Sequence, residues 1–328
     1  MSTLVENLYD SMNLFEANKL SEHFEDREAF YYNLMLEHHI LDVLSWYPAS
    51  DGTFHKWGMA KSYGKGAWKD LNEGYTASHG SIETMTSAIK VYGAVSNVND
   101  DTLRAVAAGG GDASRARQAQ DTLVARGIVE DFLSGIITAD GSDEKAPKGF
   151  EYYRSSLGDY CLDAGGTTSG SMTSIWLIEP GEERLNLRYS PGLSGSEYGV
   201  GLSIQDMGKS MIADSGKQTW MWTTKFDMSA ALELKTEKAL VRICNVDLSN
   251  DFPASLFIDA LHQMDSQGRN AVAICAPAVH AQLMKYCLDK SNVNFTVESI
   301  GGFGNIAKVF GVPVLIEEAV PTTEAVYA

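Results

Sequence analysis

The chain has 328 residues, 44% of them hydrophobic, enough for one large core or two modest ones. A formal net charge of −17, from 43 acidic against 26 basic side chains, argues against tight nucleic-acid binding, which needs clustered Lys and Arg. No apolar run approaches the roughly 18 residues of a membrane span, and the start MSTLVENLYD lacks the basic region of a secretory signal, so a soluble, cytoplasm-made protein with no membrane partner is expected.

Residues 1–48 read as helical, with no proline before Pro48. Leu4, Leu8, Met12 and Leu14 recur at roughly helical spacing. A second apolar run holds Phe30, Leu34, Leu36, Ile40, Leu41 and Leu44, with Asp26 as its N-cap. The character changes over 49–82. Residues 51–80 contain six glycines and the lysines Lys56, Lys61, Lys65 and Lys69, scattered among Phe54, Trp57, Tyr63, Trp68 and Tyr75. Glycine disfavours helix, so this reads as an extended two-stranded excursion. A lone hairpin is marginal in water and cannot bury its own rings. Trp57 and Trp68 are therefore expected to need cover from outside, with a neighbouring subunit as the candidate.

Ile82 to Val98 reads as one strand. Asn99 or Asp100 caps a short helix to Ala108, and Gly109 to Gly111 break it. Asp112 starts a long helix to about Thr138. Its apolar positions, Ala116, Ala119, Leu123, Val124, Ile128, Phe132, Leu133, Ile136 and Ile137, form one stripe. At ~1.5 Å per residue this helix spans roughly 40 Å.

The turn Gly165 to Ser171 runs into the apolar strand Ser174 to Ile178, which carries Trp176. Ser174–Glu179 and Glu183–Tyr189 read as a hairpin about Pro180-Gly181. Strands are further predicted over 220–226, 239–247, 271–275, 293–297 and 312–316. Helices are predicted from Pro253 to about Met264 and from Pro277 to Leu288. Helices alternating with strands suggest an α+β or α/β sheet.

No segment carries a catalytic signature. Glu37-His38-His39 lacks the i, i+4 imidazole spacing of a zinc helix, and His280 reads as a packing or surface histidine. Gly301-Gly302-Phe303-Gly304 lacks the Lys-Ser/Thr pair of a phosphate loop and reads as a turn. Asp163-Ala164-Gly165-Gly166 lacks alternating calcium ligands, and no GxSxG elbow occurs. Cys161, Cys244, Cys275 and Cys287 are not arranged as CxxC, and the last three lie in apolar stretches, so free buried thiols are expected. Trp220 and Trp222 share one face of a strand, as core or subunit contact. The expectation is a protein without metal or cofactor that is not an enzyme.

Six stretches, in order over roughly residues 40–320, carry a resemblance. They are Trp68-Lys69-Asp70-Leu71-Asn72-Glu73-Gly74, Asn99 to Leu103, and Lys148 to Arg154, which lacks one expected Leu. Then come Asp163 to Ile178, Lys235 to Asn245, and Val309-Phe310-Gly311-Val312-Pro313-Val314. Together they resemble the major capsid proteins of tailed bacteriophages, of the short-tailed type. The resemblance implies the α+β Hong Kong 97 phage capsid fold. In it, residues 1–48 look like the N-terminal arm and 49–82 like the extended E-loop. Residues 83–159 look like the peripheral domain with its spine helix at 112–138, 160–305 like mainly the axial domain, and 306–328 like a return strand to the peripheral domain.

The implied function is self-assembly into an icosahedral shell, as hexamers and pentamers, enclosing double-stranded DNA without sequence-specific binding. Portal, scaffold and cement or decoration proteins are the implied partners, the host cytoplasm the place of assembly and the virion the destination. An acidic lining suits a container, because one that gripped phosphates would hinder packaging. Some relatives link subunits through a Lys and an Asn; non-covalent contact is expected here. Trp57, Tyr63, Trp68, Lys69 and Tyr75 are the subunit-contact candidates. The alternatives are the shell of a cellular nanocompartment, another phage structural protein such as a tail or decoration protein, and a soluble α/β enzyme.

Overall fold

A computed structural model describes residues 38–192, 201–214, 217–250, 252–253, 255–266, 268–288, 295–300 and 304–327. The helical reading of residues 1–37 lies outside these. The described chain opens with α1 (His39–Val43) and β1 (Trp46–Pro48), then a ribbon of β2 (Phe54–Ser62) and β3 (Ser81–Ala88). β4 (Lys90–Asn99) leads into α2 (Asp100–Ala108), α3 (Ala113–Thr138) and the single turn α4 (Phe150–Tyr153). β5 (Cys161–Asp163), β6 (Met172–Ile178) and β7 (Leu185–Tyr189) precede the long pair β8 (Leu202–Asp214) and β9 (Lys217–Leu234). β10 (Leu240–Asp247), α5 (Ser255–Gln263), β11 (Val272–Cys275), α6 (Pro277–Leu288), β12 (Phe295–Ile300), β13 (Gly304–Val309) and β14 (Val312–Ile316) complete it.

Local signals explain the helices. Asn99 accepts from the Asp101 amide at the head of α2. Asp112 accepts from the Ser114 and Arg115 amides at the head of α3, satisfying donors that a helix start leaves open. At the far end, the Ala139 carbonyl accepts from both Gly149 and Tyr152. The chain folds back so closely that a Cβ at Gly149 would collide with the Ile136 carbonyl.

α3 is attached in two ways. Its C-terminal half buries Ala125, Ile128, Val129, Phe132, Leu133, Ile136 and Ile137 in a shared core. Its N-terminal half meets the sheet through charge. Arg117 donates to Asp206 at 2.7 Å and to Thr224 at 2.9 Å, while Asp121 accepts from Thr224. The expected stripe therefore fails in the first half: Leu123 is 66% exposed and Ala119 is exposed, while Asp121 is buried.

Two larger sheets carry the rest. One has the order β12-β13-β14-β11-β6-β10-β5. Its centre explains the TSIWLI run. β6 is buried at every position, with Trp176 and Ile178 facing the core shared with α3. Ile175 and Leu177 face a second core under α5 and α6, with Phe257, Val279 and Leu283. The other sheet has the order β1-β7-β9-β4, with β8 also on β9.

Several expectations change. β6 and β7 are not a hairpin; they lie in different sheets, because β6 is flanked by β10 and β11 and β7 by β1 and β9. The single strand expected over 82–98 is two, and its first half belongs to the ribbon, so the excursion returns at Ala88 rather than residue 82. Residues 46–48 form a strand parallel to β7, and Ile40, Leu41 and Leu44 sit in the chain's own core. Residues 160–305 divide between both sheets. β14 lies in the seven-stranded sheet, parallel to β11, a pairing that needs the crossover supplied by α6 and the β12–β13 hairpin. Only after it do Ala319 and Val320 reach the core shared with α3.

A buried cation ties β10 to β6 and to the C-terminal segment. Arg242 is fully buried between the rings of Trp176 and Tyr327, and its guanidinium donates to Ser174, the Arg154 carbonyl and Glu324. Cys161, Cys244 and Cys275 are buried free thiols. The Cys161 and Cys244 sulfurs are 3.7 Å apart, but the β5–β10 register makes the two residues diagonal neighbours, a poor geometry for a disulfide.

Candidate assembly surface

The ribbon β2–β3 has a root and a tip with opposite properties. At the root, side chains alternate, so His55, Trp57 and Met59 face the body while Phe54, Lys56 and Gly58 face out. Trp57 is only 6% exposed. Its indole Nε1 donates to the Leu234 carbonyl at 2.9 Å, and its ring stacks on His55. The expectation that Trp57 needs a neighbour's cover is thus corrected: its own subunit covers it. The period-two pattern His55, Trp57, Met59 was the available signal.

Charge fixes the same root. Glu233 is 1% exposed and accepts from His55 Nε2 at 3.0 Å and from Arg188 Nε at 2.6 Å. Arg188 also donates to the Pro48 carbonyl. Burial on its own would raise the Glu233 pKa, but the bonds from His55 and Arg188 outweigh it and leave the carboxyl below its ordinary value. Farther out, Lys61 bonds Glu237 at 2.6 Å, which raises the lysine pKa, and lies 3.4 Å from Glu83.

Beyond Ser62 the ribbon leaves the body. Trp68 and Leu71 are fully exposed, Tyr75 is 90% and Tyr63 79% exposed, and Lys69 is exposed. The tip is held by local bonds. Lys69 Nζ lies 4.1 Å from the Tyr75 ring centroid and donates to the Glu73 carbonyl. Glu73 and Asp70 bond each other's backbone. The structure therefore brings Trp68, Lys69 and Tyr75 together at one end, puts Tyr63 at the neck, and removes Trp57 from the group. An exposed Trp and Tyr at a projecting tip are the residue types that dominate protein interface energetics.

On the β8–β9 pair Met211 lies directly opposite Trp220 and both are exposed, so Trp220, expected as core or subunit contact, is not core; Met207, at the bulge in β8, is exposed too. Trp222, by contrast, donates to Asp100, which also binds Lys209. The loop at Gly165-Gly166 borders a cleft of about 200 Å³. Asp247, the ionisable residue in its lining, is occupied by the Ser249 amide and Asn250.

The model of the family described as major capsid protein GP7 matches residues 32–328. The chain belongs to that family. A chain in the near-atomic structure of bacteriophage epsilon15 is similar to this major capsid protein with a TM-score of 0.63. Identity is 20%, and the match covers 87% of this chain and 88% of that one. The fold is the expected α+β Hong Kong 97 type. The bacteriophage JBD30 capsid follows at a TM-score of 0.48 and 11% identity, over 86% of this chain and 90% of that one. The SrpI encapsulin of Synechococcus elongatus PCC 7942 has a TM-score of 0.44 and 14% identity, over 65% and 88%. No curated protein sequence matches the chain. This major capsid protein is a shell-forming structural protein of a bacteriophage.

Proposed function

We propose that copies of this chain tile a closed icosahedral shell, as hexamers and pentamers, around packaged double-stranded DNA, and that the tip of the β2–β3 ribbon is a principal contact between them. The observation that carries this reading is the contrast within one ribbon: a root locked to its own body and a tip whose Trp68, Leu71 and Tyr75 are uncovered. Covering those rings on a neighbour removes apolar surface from water at about 25 cal/mol per Å². Ordering costs cancel much of that gain, so each contact is modest and a growing shell can correct errors.

In this reading the ribbon is the E-loop, α3 with the five-stranded sheet is the peripheral domain, and the seven-stranded sheet with α5 and α6 is the axial domain. The net charge of −17 supports a lining that repels DNA weakly rather than gripping it. Portal, scaffold and decoration proteins complete the particle, which is assembled in the host cytoplasm. The role calls for no catalysis. Negative-stain microscopy of the purified protein tests the reading. Closed shells are expected; monomers or tubes under all assembly conditions contradict it.

A further inference from the structure

The residues that aim the ribbon are as telling as those at its tip. His55 makes two hydrogen bonds of different sense. The Ser50 amide approaches Nδ1 at 3.1 Å, and an amide can only donate, so Nδ1 carries no proton. The ring proton is then on Nε2, where it is donated to Glu233. Glu233 is held from the other side by Arg188, whose guanidinium lies over Tyr47 and reaches the Pro48 carbonyl. Tyr153 is close enough to feel the Glu233 charge, and Asp51 lies in the turn that His55 closes. One neutral imidazole thus joins the turn after β1 to β2 and to β9.

We propose that His55, held between the Ser50 amide and the Glu233–Arg188 pair, is the joint that sets the angle of the ribbon, and that a proton on its Nδ1 releases the Ser50 side. A proton there faces the Ser50 N–H, so two donors meet where a hydrogen bond stood. Glu233 stays paired with Arg188 and its bond to Nε2 survives, so the turn at Ser50 opens while β9 keeps its place. Closure favours the neutral ring, because only an unprotonated Nδ1 can accept from the Ser50 amide, so the joint is shut while Nδ1 is bare and opens when acid places a proton there. The proposal rests on the reading of the tip as a subunit contact only for its consequence, a change in how the tip meets a neighbour.

The test uses dissociated full-length subunits, so that it does not depend on shell formation. Amide hydrogen exchange, corrected for the intrinsic effect of pH, is followed in peptides covering residues 47–57 at pH 8 and pH 5.5. Residues 125–137 of α3 serve as the internal standard. Protection in 47–57 is expected to fall about tenfold or more at pH 5.5 with α3 unchanged, and in His55→Gln the difference between the two pH values is expected to vanish. Equal protection in the wild type at both pH values, or a response retained in His55→Gln, overturns the proposal. The wild-type comparison decides even if the variant fails to fold. Loss of the pH response removes the joint alone, whereas normal shells from a tip variant remove the contact reading and leave the joint intact.

Discussion

The two ends of the β2–β3 ribbon are built from the same residue types and treated oppositely by the fold. Trp57 and Trp68 both sit among glycines and lysines, eleven positions apart. One is covered by its own subunit and hydrogen-bonded to Leu234; the other is wholly exposed. The difference is not in the rings but in what stands behind them. Behind the root lie β9, Arg188 and Glu233; behind the tip lies nothing of this chain among the described residues. A ribbon anchored at one end and bare at the other holds an adhesive surface at a fixed angle, which a flexible loop of equal composition would not do.

Variants can break this contrast from either end. The largest effect on the isolated subunit is expected from Trp57→Ala, which empties a buried site and leaves the Leu234 carbonyl unpaired. Unfolding in denaturant should show a loss of about 3–5 kcal/mol. A loss under about 1 kcal/mol would mean that the root is not packed as described. Glu233→Gln should cost less and change the pH profile. A carboxyl with a depressed folded pKa contributes stability that is full above its unfolded value and lost as pH falls through the folded one. The wild type should therefore lose stability below about pH 4.3, and the variant should show a shallower decline there. Acid unfolding of the two proteins side by side checks it. The smallest effect is expected from Leu123→Ala, on the exposed face of α3, at within about 0.5 kcal/mol. A large loss there would restore the uniform apolar stripe that the structure replaces with an ionic seam.

What was legible in the sequence was local. Asp112 and Asn99 as caps, Pro277 at the head of α6, and the five residues of β14 are set by signals within a few positions. The order of the capsid-like stretches carried the family. What was missed depended on distant partners. Pro180-Gly181 signals a turn, but the strands on either side go to different sheets because burial of β6 on both faces decides its neighbours. Leu123 fits the helical period, yet Arg117 and Asp121 turn that part of α3 toward the Asp206 carboxylate and the Thr224 hydroxyl. Trp57 is covered by residues 177 positions away, a pairing that no window of the ribbon contains. Met207 and Met211 were legible as apolar but not as exposed, and for Trp220 the strand pattern left core and contact open.

Replacing Trp68 with alanine is the most direct test, with thermal unfolding of the free subunit and particle yield by electron microscopy read on the same preparation. The melting temperature is expected to stay at the wild-type value while shells are lost or sharply reduced. Wild-type numbers of closed shells from that variant would contradict the claim that the bare end of the ribbon is where one subunit grips the next.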